Sequence, residues 1–278
     1  MEEIGPQVLD LLTQDNPPLR FQTAKWATEF VAPQMSGDLD GSRVYAAHAV
    51  SIRWGTMIDL ESLRLRLYQQ LASEGRVASS DEVSAELGVT REEAASAFAA
   101  LARDRHIVLG ASGRVEMAHP FATRDFGFSV KSDRVLWWGG CAWDSFAIPH
   151  LVPGASPCLI ATTCPGCGTA HAWNVGRTGP PPGDQVAHFL VPMAQVWDDV
   201  VHACENQRIF CDEACVDAWL ARGAGTATKG AVFSLATLWN LAAGWYSGRL
   251  GRGYRRREPA EAAAYFRSVG LTGRFWGN

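Results

Sequence analysis

The amino-acid sequence predicts an α+β protein, with a winged-helix-like N-terminal module followed by a mixed sheet-and-helix core. Helical hydrophobic patterns precede a strand–turn–strand pattern that ends near residue 118. Strand and helix patterns then alternate, and all seven cysteines fall in this second part. These observations divide the chain into a helical N-terminal extension at residues 1–58, a winged-helix-like domain at 59–118 and a core at 119–278.

The first two regions are predicted from hydrophobic spacing and helix caps. In the extension, one helical stripe ends at Asp15-Asn16-Pro17-Pro18 and a second helix is expected over residues 21–31. In the next region, leucines recur at positions 60, 63, 67 and 71 on one face of a helix. Ser79 or Ser80 caps a short second helix, and Thr90 with Glu93 forms the capping box of a third. The segments 107–109 and 115–117 complete the module as a hairpin.

The charge of the third helix favours a structural role over DNA binding. Its first turn reads Arg91-Glu92-Glu93, which is poor material for neutralising phosphates. The whole chain carries a formal net charge of −4, so we expect no nucleic-acid partner. A metal-responsive winged-helix regulator without catalytic activity stays open as an alternative function.

Composition and the apolar stretches indicate a globular protein without a membrane partner. The chain has 278 residues, of which 47% are apolar and 19% charged. Its most apolar stretch, residues 231–246, is shorter than the roughly 18–20 residues that a bilayer requires. The acidic start at Met1–Pro6 lacks a secretory signal. We therefore expect a cytoplasmic protein with reduced cysteines.

The core is predicted from alternating strand and helix patterns. Strands are expected over residues 126–130, 134–138, 159–163, 169–175 and 187–191, and helices over 142–150, 194–202, 212–221 and 231–246. Five arginines at 249–257 are typical of a solvent-exposed surface or tail. Eleven tryptophans indicate either a tightly packed core or an aromatic-walled pocket.

Cys141 and Asp144 form the first candidate site. A predicted strand ends at Gly139-Gly140, which places Cys141 at the start of a helix, where the helix dipole favours a thiolate. Asp144 follows three residues later, on the same face. The alternative is a buried cysteine beside a capping aspartate, and spacing alone leaves both interpretations open.

The segment from Arg134 through Cys141-Ala142-Trp143-Asp144 to Pro149 resembles the catalytic segment of the alkylmercury (organomercurial) lyase family. The resemblance covers roughly residues 59–252. It implies that Cys204 is the second catalytic cysteine, that Cys141 and Cys204 bind mercury, and that Asp144 carries a proton from thiol to carbon. The family often has a tryptophan immediately before its first cysteine, whereas this chain has Gly140.

The resemblance also implies the reaction and its partners. Carbon–mercury protonolysis would release a hydrocarbon and Hg(II) from a small organomercurial substrate, without an organic cofactor. Low-molecular-weight thiols would remove the Hg(II), since soft thiolates are its natural ligands. An alternative within enzymes is a diverged family member that uses the same Cys/Asp site on a metal-free biosynthetic substrate, with Cys141 as nucleophile.

A second group of cysteines has metal-ligand spacing. Cys164 and Cys167 form a C-x₂-C pair in a glycine-containing turn, and Cys211 and Cys215 form a C-x₃-C pair at a helix start. Two such pairs suit a tetrahedral structural zinc site. A redox-active dithiol at the first pair, unpaired buried cysteines and a mercury-holding site stay open as alternatives. The remaining cysteine, Cys158, is predicted to be a core residue.

Overall fold

The structure is a computed structural model that describes residues 58–224 and 229–278. The helical extension predicted for residues 1–58 lies, but for its last residue, outside the described part. Residues Ile58–Asn278 form one compact unit. No helix in the described ranges is both long and apolar enough to cross a membrane.

Three helices precede the sheets, and their caps explain where they begin. They are α1 (Leu60–Glu74), α2 (Ser80–Leu87) and α3 (Arg91–Arg103). The side chain of Asp59 accepts hydrogen bonds from the first turn of α1. The predicted capping box of Thr90 and Glu93 is present, and Ser79 forms a second one with Glu82.

A seven-stranded antiparallel sheet follows, and the predicted hairpin is its first part. The strands are β1 (Val108–Leu109), β2 (Val115–Ala118), β3 (Phe121–Ala122), β4 (Phe128–Lys131), β5 (Leu136–Gly139), β6 (Cys158–Thr163) and β7 (Ala170–Val175). Their order in the sheet is β1-β2-β3-β5-β4-β6-β7. Because β2 pairs with β3, the hairpin is continuous with the sheet of the core. The winged-helix interpretation of residues 59–118 stays a prediction.

A second, three-stranded antiparallel sheet corrects the prediction of one helix over residues 231–246. Its strands are β8 (Val186–Phe189), β9 (Gln207–Phe210) and β10 (Ala231–Ser234), in the order β10-β8-β9. The first four residues of the predicted helix form β10, because Val232 and Phe233 pair with β8. The Ser234 hydroxyl then accepts the Thr237 N–H and starts α7 (Leu235–Trp245).

The other helices are α4 (Ala142–Leu151), α5 (Val200–Glu205), α6 (Glu213–Trp219) and α8 (Pro259–Ser268), with 3₁₀ turns at Met193–Gln195 and Arg274–Trp276 and a π-helical turn at Leu220–Ala224. The prediction of one continuous helix over 194–202 is wrong, because a 3₁₀ turn ends at Gln195 and a separate helix begins at Val200. Asp199 has an extended backbone and accepts the His202 N–H, so it begins the separate helix α5.

Helix α4 lies at the centre of the fold. All its residues from Ala142 to Pro149 are buried, and apart from Asp144 and Ser145 they are apolar, as expected for a helix in the core. It contacts strands of the large sheet, β9 of the small sheet and α7. The N-terminus of α4 is therefore enclosed by both sheets and α7, and the candidate site lies there.

Candidate active site

Cys141 caps the N-terminus of α4. The large-sheet strand β5 ends at Gly139, and Cys141 then adopts an extended backbone with φ −165°. Its Sγ accepts the backbone N–H of Asp144 at 3.4 Å, and its carbonyl oxygen accepts the Ser145 hydroxyl at 2.6 Å. Only 2% of Cys141 is exposed. The predicted strand–glycine–cysteine–helix sequence is present.

Both carboxylate oxygens of Asp144 are held by other side chains. The Tyr246 hydroxyl, just past the end of α7, donates to Oδ1 at 2.5 Å, and Nδ1 of His119 lies 2.9 Å from Oδ2. Asp144 is 1% exposed. The carboxylate is thus fixed on the same side of α4 as the Cys141 thiol, although water does not solvate it.

Two opposing effects act on the pKa of Asp144. Burial raises this pKa, but the charge and hydrogen bond of His119, together with the hydrogen bonds from Tyr246 and Cys141, outweigh burial and lower it below 3.8. The carboxylate is therefore ionised at neutral pH. A buried charge that is hydrogen-bonded on both oxygens is a feature of functional sites.

Cys204 reaches the same place from the other sheet. It lies in α5 directly before β9, is 3% exposed, and interacts with the Cys141 thiol. One oxygen of Asp144, one ring nitrogen of His119 and the Cys204 Sγ all lie within 4.8 Å of one another. The structure thus brings together the three residues that the sequence singled out for this site.

The two thiols differ from the expectation of a helix-stabilised thiolate. Burial raises the pKa of Cys141 well above 9.0, and its interactions with Cys204 and the Asp144 charge raise it further. The hydrogen bond with Cys141 works to lower the pKa of Cys204, but burial and the charges of Asp144 and Glu205 raise it overall. Because these effects exceed the helix dipole, both groups are neutral thiols at rest.

His119 and Tyr246 are site residues that the sequence did not reveal. They lie 25 and 102 residues from Asp144 in the chain. No local spacing connects either residue with the Cys141–Asp144 pair. The one available signal was that a buried carboxylate requires donors on both oxygens, and this does not identify which donors.

Gly140 leaves room for the carboxylate. A Cβ atom at this position would lie 2.4 Å from Oδ2 of Asp144 and 2.7 Å from the Met117 methyl group. A residue with a side chain would therefore displace the Asp144 carboxylate, the Met117 methyl group or both.

A cavity of about 560 Å³ opens onto Cys141, Asp144 and Cys204. Its size is typical of a small-molecule site. Aromatic side chains form much of the wall: Trp143, Trp197, Trp245, Tyr246, Tyr254, Phe266 and Trp276. The tryptophan content indicates either a packed core or an aromatic-walled pocket, and four of the eleven tryptophans line this pocket.

Arginines form another part of the wall, so the predicted exposed surface at 249–257 holds for Arg252 and Arg255 but is wrong for the buried Arg249. Arg249 is 3% exposed, because its guanidinium donates to the hydroxyls of Tyr68 (2.6 and 2.8 Å) and Tyr254 (3.0 Å). Arg105 and Arg256 both lie over the Trp197 ring, 5.1 and 4.6 Å from its centroid. Neither of these two forms a salt bridge within the described ranges.

The other predicted ligands form a separate group, the four-cysteine cluster (Cys164, Cys167, Cys211 and Cys215). Their Sγ atoms all lie within 4.8 Å of one another. Cys164 follows β6 and Cys211 follows β9, so each sheet supplies one pair. Cys158 belongs to neither site and is fully buried in the core, as predicted.

Comparison with known proteins supports the resemblance stated from the sequence. Residues 121–247 match the family described as MerB, alkylmercury lyase. A solved structure, the mercury-bound form of MerB2, resembles the chain with a TM-score of 0.52 and 12% identity over 81% of this chain and 97% of that one. At this identity the likeness shows the fold alone. No curated protein matches the chain. The resemblance to the alkylmercury lyase family is therefore confirmed for residues 121–247.

Proposed function

We propose that the chain cleaves carbon–mercury bonds by protonolysis, using Cys141 and Cys204 as mercury ligands and Asp144 as the proton carrier. The observation that carries the proposal is the convergence of two buried thiols and one buried carboxylate on a single cavity. All three residues lie in the segment that matches the lyase family. Soft thiolates suit Hg(II), and the carboxylate suits general acid–base work.

The resting charges support the order of events. Asp144 has a lowered pKa and is a carboxylate, whereas both cysteines have raised pKa values and are thiols. A thiol that coordinates a metal ion loses its proton. As R–Hg⁺ binds to Cys141, the thiol proton passes to Asp144. The Asp144 N–H that donates to the Cys141 sulfur stabilises the thiolate formed.

The bond-breaking step conserves electrons and needs no oxidant. Cys204 releases its thiol proton to solvent as its sulfur binds mercury, and this second thiolate pushes electron density through mercury towards carbon. The carbon–mercury electron pair then takes the proton from the Asp144 carboxylic acid, and R–H leaves. Hg(II) stays bound to the two sulfurs. Two molecules of a small thiol take up the ion and return two protons, which restore the neutral cysteines and leave Asp144 ionised.

The cavity wall supports a preference within organomercurials. Burial and the like charges of Arg105 and Arg249 lower the pKa of Arg256, in line with a cluster of positive charge at this part of the wall. The aromatic wall suits an aryl group. We therefore expect aryl substrates that carry a carboxylate to be favoured over neutral ones of the same size.

Residues 59–118 support the site structurally in this proposal. In α3, the first turn contains Glu92 and Glu93, and Arg91 pairs with Asp81 at 3.4 Å. The first turn of α3 therefore offers little positive charge to the phosphate backbone of a nucleic acid. Tyr68 of α1 instead contacts Arg249 in the cavity wall.

Hydrocarbon release tests the proposal. Purified protein is incubated with phenylmercury or methylmercury and excess thiol, and benzene or methane is measured by gas chromatography. We expect release by the wild type, none by Cys141→Ser or Cys204→Ser, and normal release by Cys158→Ser, whose cysteine is buried away from the cavity. Turnover by folded Cys141→Ser would reject the mechanism. Absence of release by reduced wild type would direct the search to metal-free substrates.

A further inference from the structure

The four-cysteine cluster lies outside the cavity and takes no part in the proposed reaction. The Sγ atoms of Cys167 and Cys211 lie 3.4 Å apart, and all four cysteines are free. Sulfurs around a tetrahedral zinc ion lie about 3.8 Å apart, since each Zn–S bond is about 2.3 Å. A group of four sulfurs within 4.8 Å of one another is therefore close to the size of a Zn(Cys)₄ site.

The backbone presents the sulfurs from two tight turns. In the β6–β7 turn, the Gly168 N–H donates to the Cys164 carbonyl at 2.9 Å, and Gly168 has the positive φ of 81° that such a turn requires. At the start of α6, the Asp212 carboxylate accepts the Cys215 N–H at 2.8 Å. The turns touch directly: a Cβ atom on Gly166 would lie 2.4 Å from the Cys215 carbonyl oxygen.

Neighbouring polar groups suit sulfurs that carry negative charge. The Thr169 hydroxyl lies 3.2 Å from the Cys167 Sγ, and Nε2 of His171 lies 3.3 Å from the Cys211 Sγ. Arg222 donates to the carbonyl oxygens of Pro165 and Gly166 at 2.8 and 2.6 Å, which brings a positive charge beside the first turn. Such outer partners orient thiolate ligands and offset their charge.

The packing around the cluster indicates that a bound metal ion would stabilise this part of the fold. Cys164, Phe210 and Val216 form a small core of their own, separate from the main core. A core of this size contributes little stability, and small structural units commonly use a metal ion in its place.

We propose that the four-cysteine cluster binds one structural Zn²⁺ ion, which fastens the β9–α6 segment to the β6–β7 turn. Four thiolates fill the tetrahedral shell, so the ion has no open position for substrate. Its effect on the reaction is indirect. Strand β9 begins three residues after Cys204 and ends directly before Cys211. By binding Cys211, the ion holds one end of the strand whose other end follows the Cys204 thiol.

Metal analysis tests the proposal independently of turnover. The protein is purified without added metal or chelator and analysed by inductively coupled plasma mass spectrometry. We expect about one zinc per chain in the wild type, in Cys141→Ser and in Cys158→Ser, and loss of most of it in Cys164→Ser and Cys211→Ser. Cys215→His should keep zinc, since Cys₃His also binds the ion tetrahedrally.

A second measurement applies if a serine variant fails to fold. In native wild type, a strong chelator should release the zinc and make four further thiols reactive towards a disulfide reagent. Zinc-free wild-type protein that is fully folded would overturn the proposal. Zinc that persists in folded Cys164→Ser, or is lost in Cys141→Ser, would overturn it as well. Since none of these readouts uses an organomercurial, failure here is distinguishable from failure of the lyase proposal.

Discussion

Nδ1 of His119 lies 2.9 Å from Oδ2 of Asp144, in a contact from which solvent is almost excluded. The His119 Nε2 has no hydrogen-bond partner among the described residues, so this contact is the main polar restraint on the ring. With Tyr246 on the other oxygen, the carboxylate has one orientation. We interpret His119 and Tyr246 as positioning residues, because they act on the proposed reaction through Asp144.

Tyr246→Phe should weaken turnover and shift its pH dependence. The substitution removes the 2.5 Å hydrogen bond that helps to lower the pKa of Asp144, so this pKa should rise. If the resting carboxylate must take a thiol proton, the acidic limb of the rate profile should move to higher pH. Loss of a hydrogen bond to a charged group costs about 1.5–3 kcal/mol, which corresponds to a roughly 10- to 100-fold lower rate.

Tyr265→Phe is the matched control for this variant. The Tyr265 hydroxyl also bonds within the C-terminal helices, donating to the Leu241 carbonyl at 2.8 Å, but it does not line the cavity. Its rate profile should keep the wild-type midpoint. Equal pH profiles for the two variants would mean that Tyr246 acts on stability and not on Asp144.

Asp144→Asn should lower stability in a pH-dependent manner. The folded-state pKa of Asp144 is depressed below 3.8, so its contribution to the free energy of unfolding is complete above the unfolded value and is lost as pH falls through the folded one. Urea unfolding should give a difference from wild type of about 1–3 kcal/mol at neutral pH. The difference should be constant between about pH 7 and 5 and shrink below about pH 4. A difference that grows on acidification would contradict this assignment.

Local spacing was sufficient to predict parts of the site that lie within one helical turn. Cys141 and Asp144 are three residues apart at a helix start, and the Asp144 N–H bonds to the Cys141 sulfur. The pairs Cys164–Cys167 and Cys211–Cys215 likewise lie within single turns. The resemblance to the lyase family added Cys204, which no spacing connects with Cys141.

The features that sequence could not supply depend on burial and on distant packing. Burial decides that Cys141 is a thiol at rest, and it outweighs the helix dipole that the sequence pattern emphasised. Arg249 is likewise buried because Tyr68, 181 residues away, accepts its hydrogen bonds. A run of arginines does not indicate which member has such partners.

Gly140→Ala should reduce turnover far more than stability. The new Cβ atom would meet Oδ2 of Asp144 at 2.4 Å and displace the carboxylate from His119. A displacement of about 1 Å at a reacting group can cost about 10²-fold in rate. Gly179→Ala is the control, since a Cβ atom there meets nothing within 4 Å. Benzene release and urea unfolding would be compared for both. A Gly140→Ala variant with wild-type turnover would show that the placement of Asp144 is not required.

Arg256→Ala should selectively weaken the reaction of an anionic substrate. Arg256 lines the cavity, lies over Trp197 and has no salt bridge in the described ranges, so a substrate carboxylate can pair with it. A partly exposed pair of this kind is worth about 1 kcal/mol, which predicts a roughly fivefold lower kcat/KM for 4-carboxyphenylmercury. The neutral analogue 4-methylphenylmercury should be unaffected. Arg255→Ala, which removes the exposed neighbouring arginine outside the cavity, should change neither substrate. Equal losses for both substrates in Arg256→Ala would mean that the guanidinium supports the cavity wall and does not recognise charge.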